Sequence, residues 1–184
     1  MPEIILDDLA LSQVSIFAAQ TQPRELGSRT EMTNVVNHHH IRHAHMVNIN
    51  RQIMLEGMRA DFCAVDKLSQ RLVEHARQVD RITCKTPHGT EFVAELSPKL
   101  KWLKTSGIIA RDKWGNLPGG EIFTTPMNTN GVFVVDGVVG DYLCERFGDL
   151  QSNPLTIEVE NNRIRALAFG KQGFTRRISG LHEH

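Results

Sequence analysis

The chain has 184 residues and a mass of 20.7 kDa, which at roughly 150 residues per domain predicts one domain or a tight pair. Its 21 basic and 21 acidic residues cancel, removing the long-range field on which non-specific nucleic-acid binding depends. No uninterrupted apolar run approaches the roughly 20 residues of a membrane span, and the opening MPEIILDD is acidic where a secretory leader is basic. Cys63, Cys84 and Cys144 are odd in number and widely spaced, as expected of reduced thiols. These features predict a cytoplasmic protein with no nucleic-acid or membrane partner.

In chain order, residues 13–19 (QVSIFAA) read as a buried strand and residues 20–33 as a loop. From Asn34, the three- and four-residue steps of Val36, Ile41, Ala44, Val47, Met54, Leu55 and Met58 predict a long helix. Asp66 reads as the N-cap of a second helix, with Leu68, Leu72, Val73, Ala76 and Val79 as its apolar stripe. Residues 81–86 and 91–96 alternate around Pro87, His88, Gly89 and Thr90, the chemistry of a hairpin. Residues 97–120 hold no period. Short strands follow at 121–125, 132–136, 155–160 and 163–169, the last two joined by Asn161 and Asn162, which tolerate the positive φ of a type I′ turn. The expected class is α/β to α+β. A small α/β part at 1–115 (strand, two helices, hairpin) precedes a β-rich part with antiparallel hairpins at 116–184.

Two places carry candidate chemistry. His38, His39, His40, His43 and His45 crowd the predicted long helix, where His39 and His43 share a face at a spacing that suits a transition metal. No Glu lies between them as a metalloprotease helix needs, and the bland reading is a polar helix face. Residues 114–126 (WGNLPGGEIFTTP) place a Pro-Gly-Gly turn before a strand that starts at Glu121, so a carboxylate projects from a tight bend. As a bare pattern this is a turn, a strand and a surface Glu.

That run resembles a segment of the thermophilic-type metallo-aminopeptidases, the aminopeptidase T family, which carry a similar Asn-x-Pro-x-Gly-Glu-Val-Phe-Thr-x-Pro stretch. Residues 84–92 (CKTPHGTEF), 130–137 (NGVFVVDG) and 155–167 (LTIEVENNRIRAL) resemble neighbouring strands of the same family. The resemblance runs from Asn34 to about Gly170. It implies an α/β part followed by a β part, a homodimer, and a pair of divalent ions used to remove N-terminal residues from peptides. Glu121 matches the family's first metal-ligand glutamate, but the remaining ligands, a second Glu motif and histidines ending in His-x-Asp, have no counterpart. The terminal His182, Glu183 and His184 are the remaining donors near an end.

One glutamate cannot stand in for the roughly three protein ligands per ion that hydrolytic metal chemistry uses. The expectation is therefore a truncated, catalytically incomplete aminopeptidase-like protein that requires no cofactor. It would act as a peptide-binding or accessory protein, presenting a peptide to modifying enzymes, with Trp114, Asn116, Leu117, Pro118, Gly119 and Gly120 as the peptide-facing rim. Its partners are a peptide and either a second copy or a partner protein. The alternative is a fragment or subunit of an active aminopeptidase dependent on Zn, Co or Mn. A third reading is a ring-cleaving iron oxygenase, since some relatives of this fold oxidise pyridines; it too needs histidines that the chain lacks.

Overall fold

The computed structural model describes residues 1–20, 22, 25–170 and 176–177. In chain order the helices are α1 (Glu3–Ala10), α2 (Leu26–His38), α3 (Arg51–Leu55), α4 (Phe62–Ala76) and α5 (Gly140–Phe147), with one 3-10 turn at Gly57–Arg59. The strands are β1 (Val14–Ala19), β2 (Arg42–Val47), β3 (Arg81–Lys85), β4 (Glu91–Glu95), β5 (Leu103–Thr105), β6 (Gly115–Asn116), β7 (Glu121–Phe123), β8 (Asn128–Val135), β9 (Leu155–Glu160), β10 (Arg163–Phe169) and β11 (Arg176–Arg177). The chain is mixed α and β, and it divides into two compact units. Unit 1 is Met1–Ala76 with Trp102–Thr124, and unit 2 is Arg77–Lys101 with Thr125–His184.

Unit 1 is built on a parallel sheet, in the order β1-β2-β6, with α2 as the crossover between its first two strands. A small antiparallel pair, β5 with β7, accompanies it. Its buried apolar residues are Met32 and Val36 of α2, Ile41 at the entry to β2, and Val73 and Ala76 of α4. Helix α4 starts earlier than Asp66. The side chain of Asp61 accepts from the amides of Cys63 and Ala64 at 3.0 and 3.1 Å, satisfying two orphan donors of the first turn. The buried stripe of α4 is Ser69, Val73 and Ala76, while Leu68 and Leu72 of the predicted stripe are exposed.

The predicted helix from Asn34 to Met58 is replaced by the end of α2, the strand β2 and the short α3. The apolar positions of this stretch fit helical steps, but Ile41, His43 and His45 alternate as buried residues, the period of a strand. Histidines occupy buried slots where a pattern search expects hydrocarbon.

Unit 2 is an antiparallel six-stranded sheet in the order β11-β10-β9-β8-β4-β3. The hairpin β3–β4 has the register Arg81↔Glu95 to Lys85↔Glu91, and β9–β10 turns at Asn161 and Asn162 with φ of 51° and 64°. Both hairpins stand where the sequence puts them. The first belongs to unit 2, so the observed division does not follow the expected boundary at 115/116: β3 and β4 hydrogen-bond through β8 to the later strands, and their ladder outweighs chain proximity.

Candidate functional site

In unit 1 the inner face of the parallel sheet gathers polar groups. Ser15 and Phe17 of β1 stand in register with His43 and His45 of β2, and Asn116 of β6 pairs with His45. The Oγ of Ser15 lies 2.7 Å from Nδ1 of His43, and Nε2 of His43 lies 3.2 Å from Nδ1 of His45. Both nitrogens of His43 are thus engaged, which a neutral imidazole satisfies as one donor and one acceptor. Phe17 stacks on His45 with centroids 4.8 Å apart, and Trp114 meets His43 and His45 edge-on at 6.2 and 5.7 Å.

Both histidines are buried. Burial, and then the charge of His45, push His43 down to about 4. Burial also lowers His45, helped by the charge of Arg29 and opposed by Glu25. From the usual 6.5, the shift of His43 amounts to about 3 kcal/mol against its imidazolium. A general base works best with a pKa near the ambient pH, so this histidine is a poor proton acceptor for Ser15 at neutrality. Ser15, His43 and His45 form a satisfied polar interior.

The other histidines are dispersed. His38 ends α2, His39 and His40 form the turn beyond it, and His43 lies in the next strand, so the predicted helical His39–His43 pair is not formed. His88 pairs with Asp136. His182, Glu183 and His184 lie outside the described residues.

Glu121 opens β7 opposite Thr105, whose hydroxyl donates to Oε2 at 3.4 Å. Among the described residues no three His, Cys, Asp or Glu side chains come together as a metal site. One carboxylate beside a threonine hydroxyl does not make the donor set of a zinc, cobalt, manganese or iron centre among the described residues. The rest of the run is occupied in holding unit 1 together. The amide of Leu117 donates to the carbonyl of His45 at 3.0 Å, and that of Gly120 to the carbonyl of Thr105 at 2.8 Å. Pro118 lies against Gly57, where a Cβ would meet its ring at 3.0 Å. A Cβ on Gly119 would come within 2.4 Å of the amide nitrogen of Gly107, so glycine is required there by close backbone approach. Asp66 pairs with Lys104 at 2.8 Å and accepts from Ser106; these bonds hold its carboxyl below the usual range.

Unit 2 presents a different surface, which sequence reading missed. Residues opposite each other in a ladder share a face. The registers therefore place Ile82 and Cys84 of β3, Phe92 and Ala94 of β4, and Thr129, Gly131, Phe133 and Val135 of β8 on one side. Leu155, Ile157 and Val159 of β9 and Ile164, Leu167 and Phe169 of β10 continue it. None of these is charged. The reverse side carries Arg81, Lys85, Glu91, Glu95, Asn130, Glu158, Glu160 and Arg163 around an apolar middle of Val93, Val132, Val134, Ala166 and Ala168. Ile82, Phe133, Ile164 and Phe169 remain 46%, 45%, 50% and 41% exposed, and the buried apolar residues of unit 2, among those described, are Leu150 and Ala166. Phe92 and Phe133 meet edge-on at the middle of the face, and Phe147 of α5 reaches Phe169 at its end. The alternation of hydrocarbon and charge along β4, β9 and β10 was the available signal.

No family model and no curated protein matches the chain. Among solved structures, one of 2,5-dihydroxypyridine dioxygenase from Pseudomonas putida KT2440 is similar, with a TM-score of 0.57 and 14% identity over 91% of this chain. The match takes in 45% of the dioxygenase chain, so this chain spans less than half its length. At that identity the likeness concerns the fold. It overturns the expected membership of the aminopeptidase T family and the description of the chain as an aminopeptidase-like, peptide-binding metallopeptidase homologue. The physical reason lies in residues 114–126: a glycine demanded by close backbone approach at 119, a second with positive φ at 120 and then a strand are a local solution that a short pattern cannot assign to one family.

Proposed function

We propose that the chain is an assembly module, an accessory protein that works by laying the uncharged face of its unit 2 sheet against a further protein layer. The observation that carries this reading is the face itself: fourteen positions across five strands without a charge, four of them large side chains at least 41% exposed. A sheet with one apolar side is stable in water when a second layer covers it. Contiguous exposed patches beyond a few hundred Å² mark interaction sites. No helix among the described residues is long and apolar enough to cross a membrane. The free cysteines suit a reducing, cytoplasmic compartment.

Cys84 reports on the face directly, because it lies on it, whereas the exposed Cys63 lies on α4 of unit 1. Thiol labelling in intact cells, read by peptide mass spectrometry, is expected to modify Cys63 and spare Cys84 until the protein is denatured. Equal labelling of the two in the folded protein would sink the reading.

A further inference from the structure

We infer that the layer covering this face is a second copy of the chain, packed sheet on sheet about a two-fold axis that crosses β8; this rests on the assembly reading above. Three observations select the occupant. The first is charge. A two-fold contact sets a patch against itself, so any charge on it meets its own like; the fourteen positions of β3, β4, β8, β9 and β10 carry none, and the one charged position the ladder adds to this side, Arg176 opposite Leu167, belongs to the outermost strand, while the reverse face of the same sheet has both signs.

The second is shape. Gly131 sits between Phe92 and Val159 in one row of the face, leaving a dent, and Phe133, two residues along the same strand, stands 45% exposed beside it. An axis lying between the two sheets and passing over Val132 runs the two β8 strands antiparallel and brings each Phe133 over the other copy's Gly131. One knob and one hole, a single step of the pleat apart, then become two matched contacts. The hole is fixed. Gly131 has φ of 126°, and a Cβ there would lie 2.2 Å from the carbonyl oxygen of Glu91. A ring is about the right size to bridge two sheets that pack roughly 10 Å apart.

The third is area. At roughly 200 Å² for each of the four exposed side chains, the fractions above leave about 360 Å² open, and with lesser contributions from Phe92, Ile157, Val159 and Leu167 the face offers on the order of 500 Å². That is the scale of a reversible dimer, since stable ones use about 800 Å² per partner.

Sedimentation velocity of the full chain over a range of concentrations tests this. The expected particle is a dimer of twice 20.7 kDa. Phe133→Asp is expected to give a monomer. Phe133→Ala, which leaves less to chance in folding, is expected to raise the dissociation constant about 30-fold or more, as loss of a central aromatic anchor does. Glu158→Lys, on the reverse face, is expected to leave the dimer unchanged. A dimer that survives both Phe133 substitutions, or one that Glu158→Lys weakens as much, overturns the proposal. A wild-type monomer at every concentration also overturns it. If Cys84 is nevertheless protected in cells, a different protein covers the face and the assembly reading stands; if Cys84 is open as well, both fall.

Discussion

The two units solve the problem of burial in opposite ways. Unit 1 closes a core of its own from Met32, Val36, Ile41, Val73 and Ala76, and inside it tolerates His43, His45, Ser69 and Ser106. Unit 2 has the larger sheet but, among the described residues, buries only Leu150 and Ala166 of its hydrocarbon. The first therefore has polar groups where hydrocarbon is expected, satisfied by hydrogen bonds from Ser15 to His43 to His45; the second has hydrocarbon where water is expected. Secondary structure of good regularity is thus no sign that a layer is finished.

Truncations break this comparison most forcefully. Ile41→Ala removes a side chain that is 1% exposed, and a loss of about 2–5 kcal/mol in unfolding free energy is expected from the lost transfer term and the cavity. Phe133→Ala, measured by urea unfolding at concentrations low enough to keep the chain monomeric, is expected to lose less than about 1 kcal/mol, since nearly half of the ring is already in water. Equal losses at the two sites would mean that unit 2 is packed as unit 1 is.

The contrast also explains what was legible in the sequence. The hairpins 81–95 and 155–169 were, because a turn and two alternating strands are encoded within about fifteen residues. Helix α4 was placed by its apolar period, although its cap is Asp61, not Asp66, whose carboxylate is engaged by Lys104 and Ser106. Strand β2 was not, since its inward positions are histidines. The two-residue β6 and three-residue β5 are too short to show any period and exist through their partners. Helices α1 and α5, of eight residues each, stand within acidic or Gly-flanked stretches where no capping signal marks them. The uncharged face could be listed strand by strand, but its being one surface depends on the order β10-β9-β8-β4-β3, which pairs segments more than thirty residues apart in sequence.

Acid is expected to act on unit 1 before unit 2. His43 has a folded pKa of about 4 against an unfolded 6.5, so the unfolded chain binds its proton first as pH falls. The stabilisation from keeping it neutral is complete above about 6.5, declines as pH drops through that value, and is lost by about 4, amounting to about 3 kcal/mol. His45, lowered as well, adds in the same direction. Asp66 in unit 1 and Asp136 in unit 2, both held low by their hydrogen-bonded partners, contribute stability that is present above the usual 3.8 and lost as pH falls further. Hydrogen exchange between pH 7 and pH 4.5 is expected to show β2 losing protection while β8 and β9 hold theirs. Parallel loss in both units would place the acid-sensitive group elsewhere.

The smallest expected effect distinguishes two adjacent residues of unit 2. Asn161 and Asn162 both have positive φ, which costs an ordinary residue roughly 1–2 kcal/mol. Only the second is tied down by its side chain: Nδ2 donates to the carbonyl of Met127 at 2.9 Å, and Oδ1 accepts from the hydroxyl of Thr129 at 2.9 Å. Glycine relieves the backbone at either place, so Asn161→Gly is expected to be neutral or to stabilise by a few tenths of a kcal/mol. Asn162→Gly gains the same relief but loses two hydrogen bonds worth about 1 kcal/mol each, and is expected to destabilise by about 1 kcal/mol in urea unfolding. Identical behaviour of the two would mean that the turn is held by its backbone alone, with the loop contributing nothing to the register of β8 against β9.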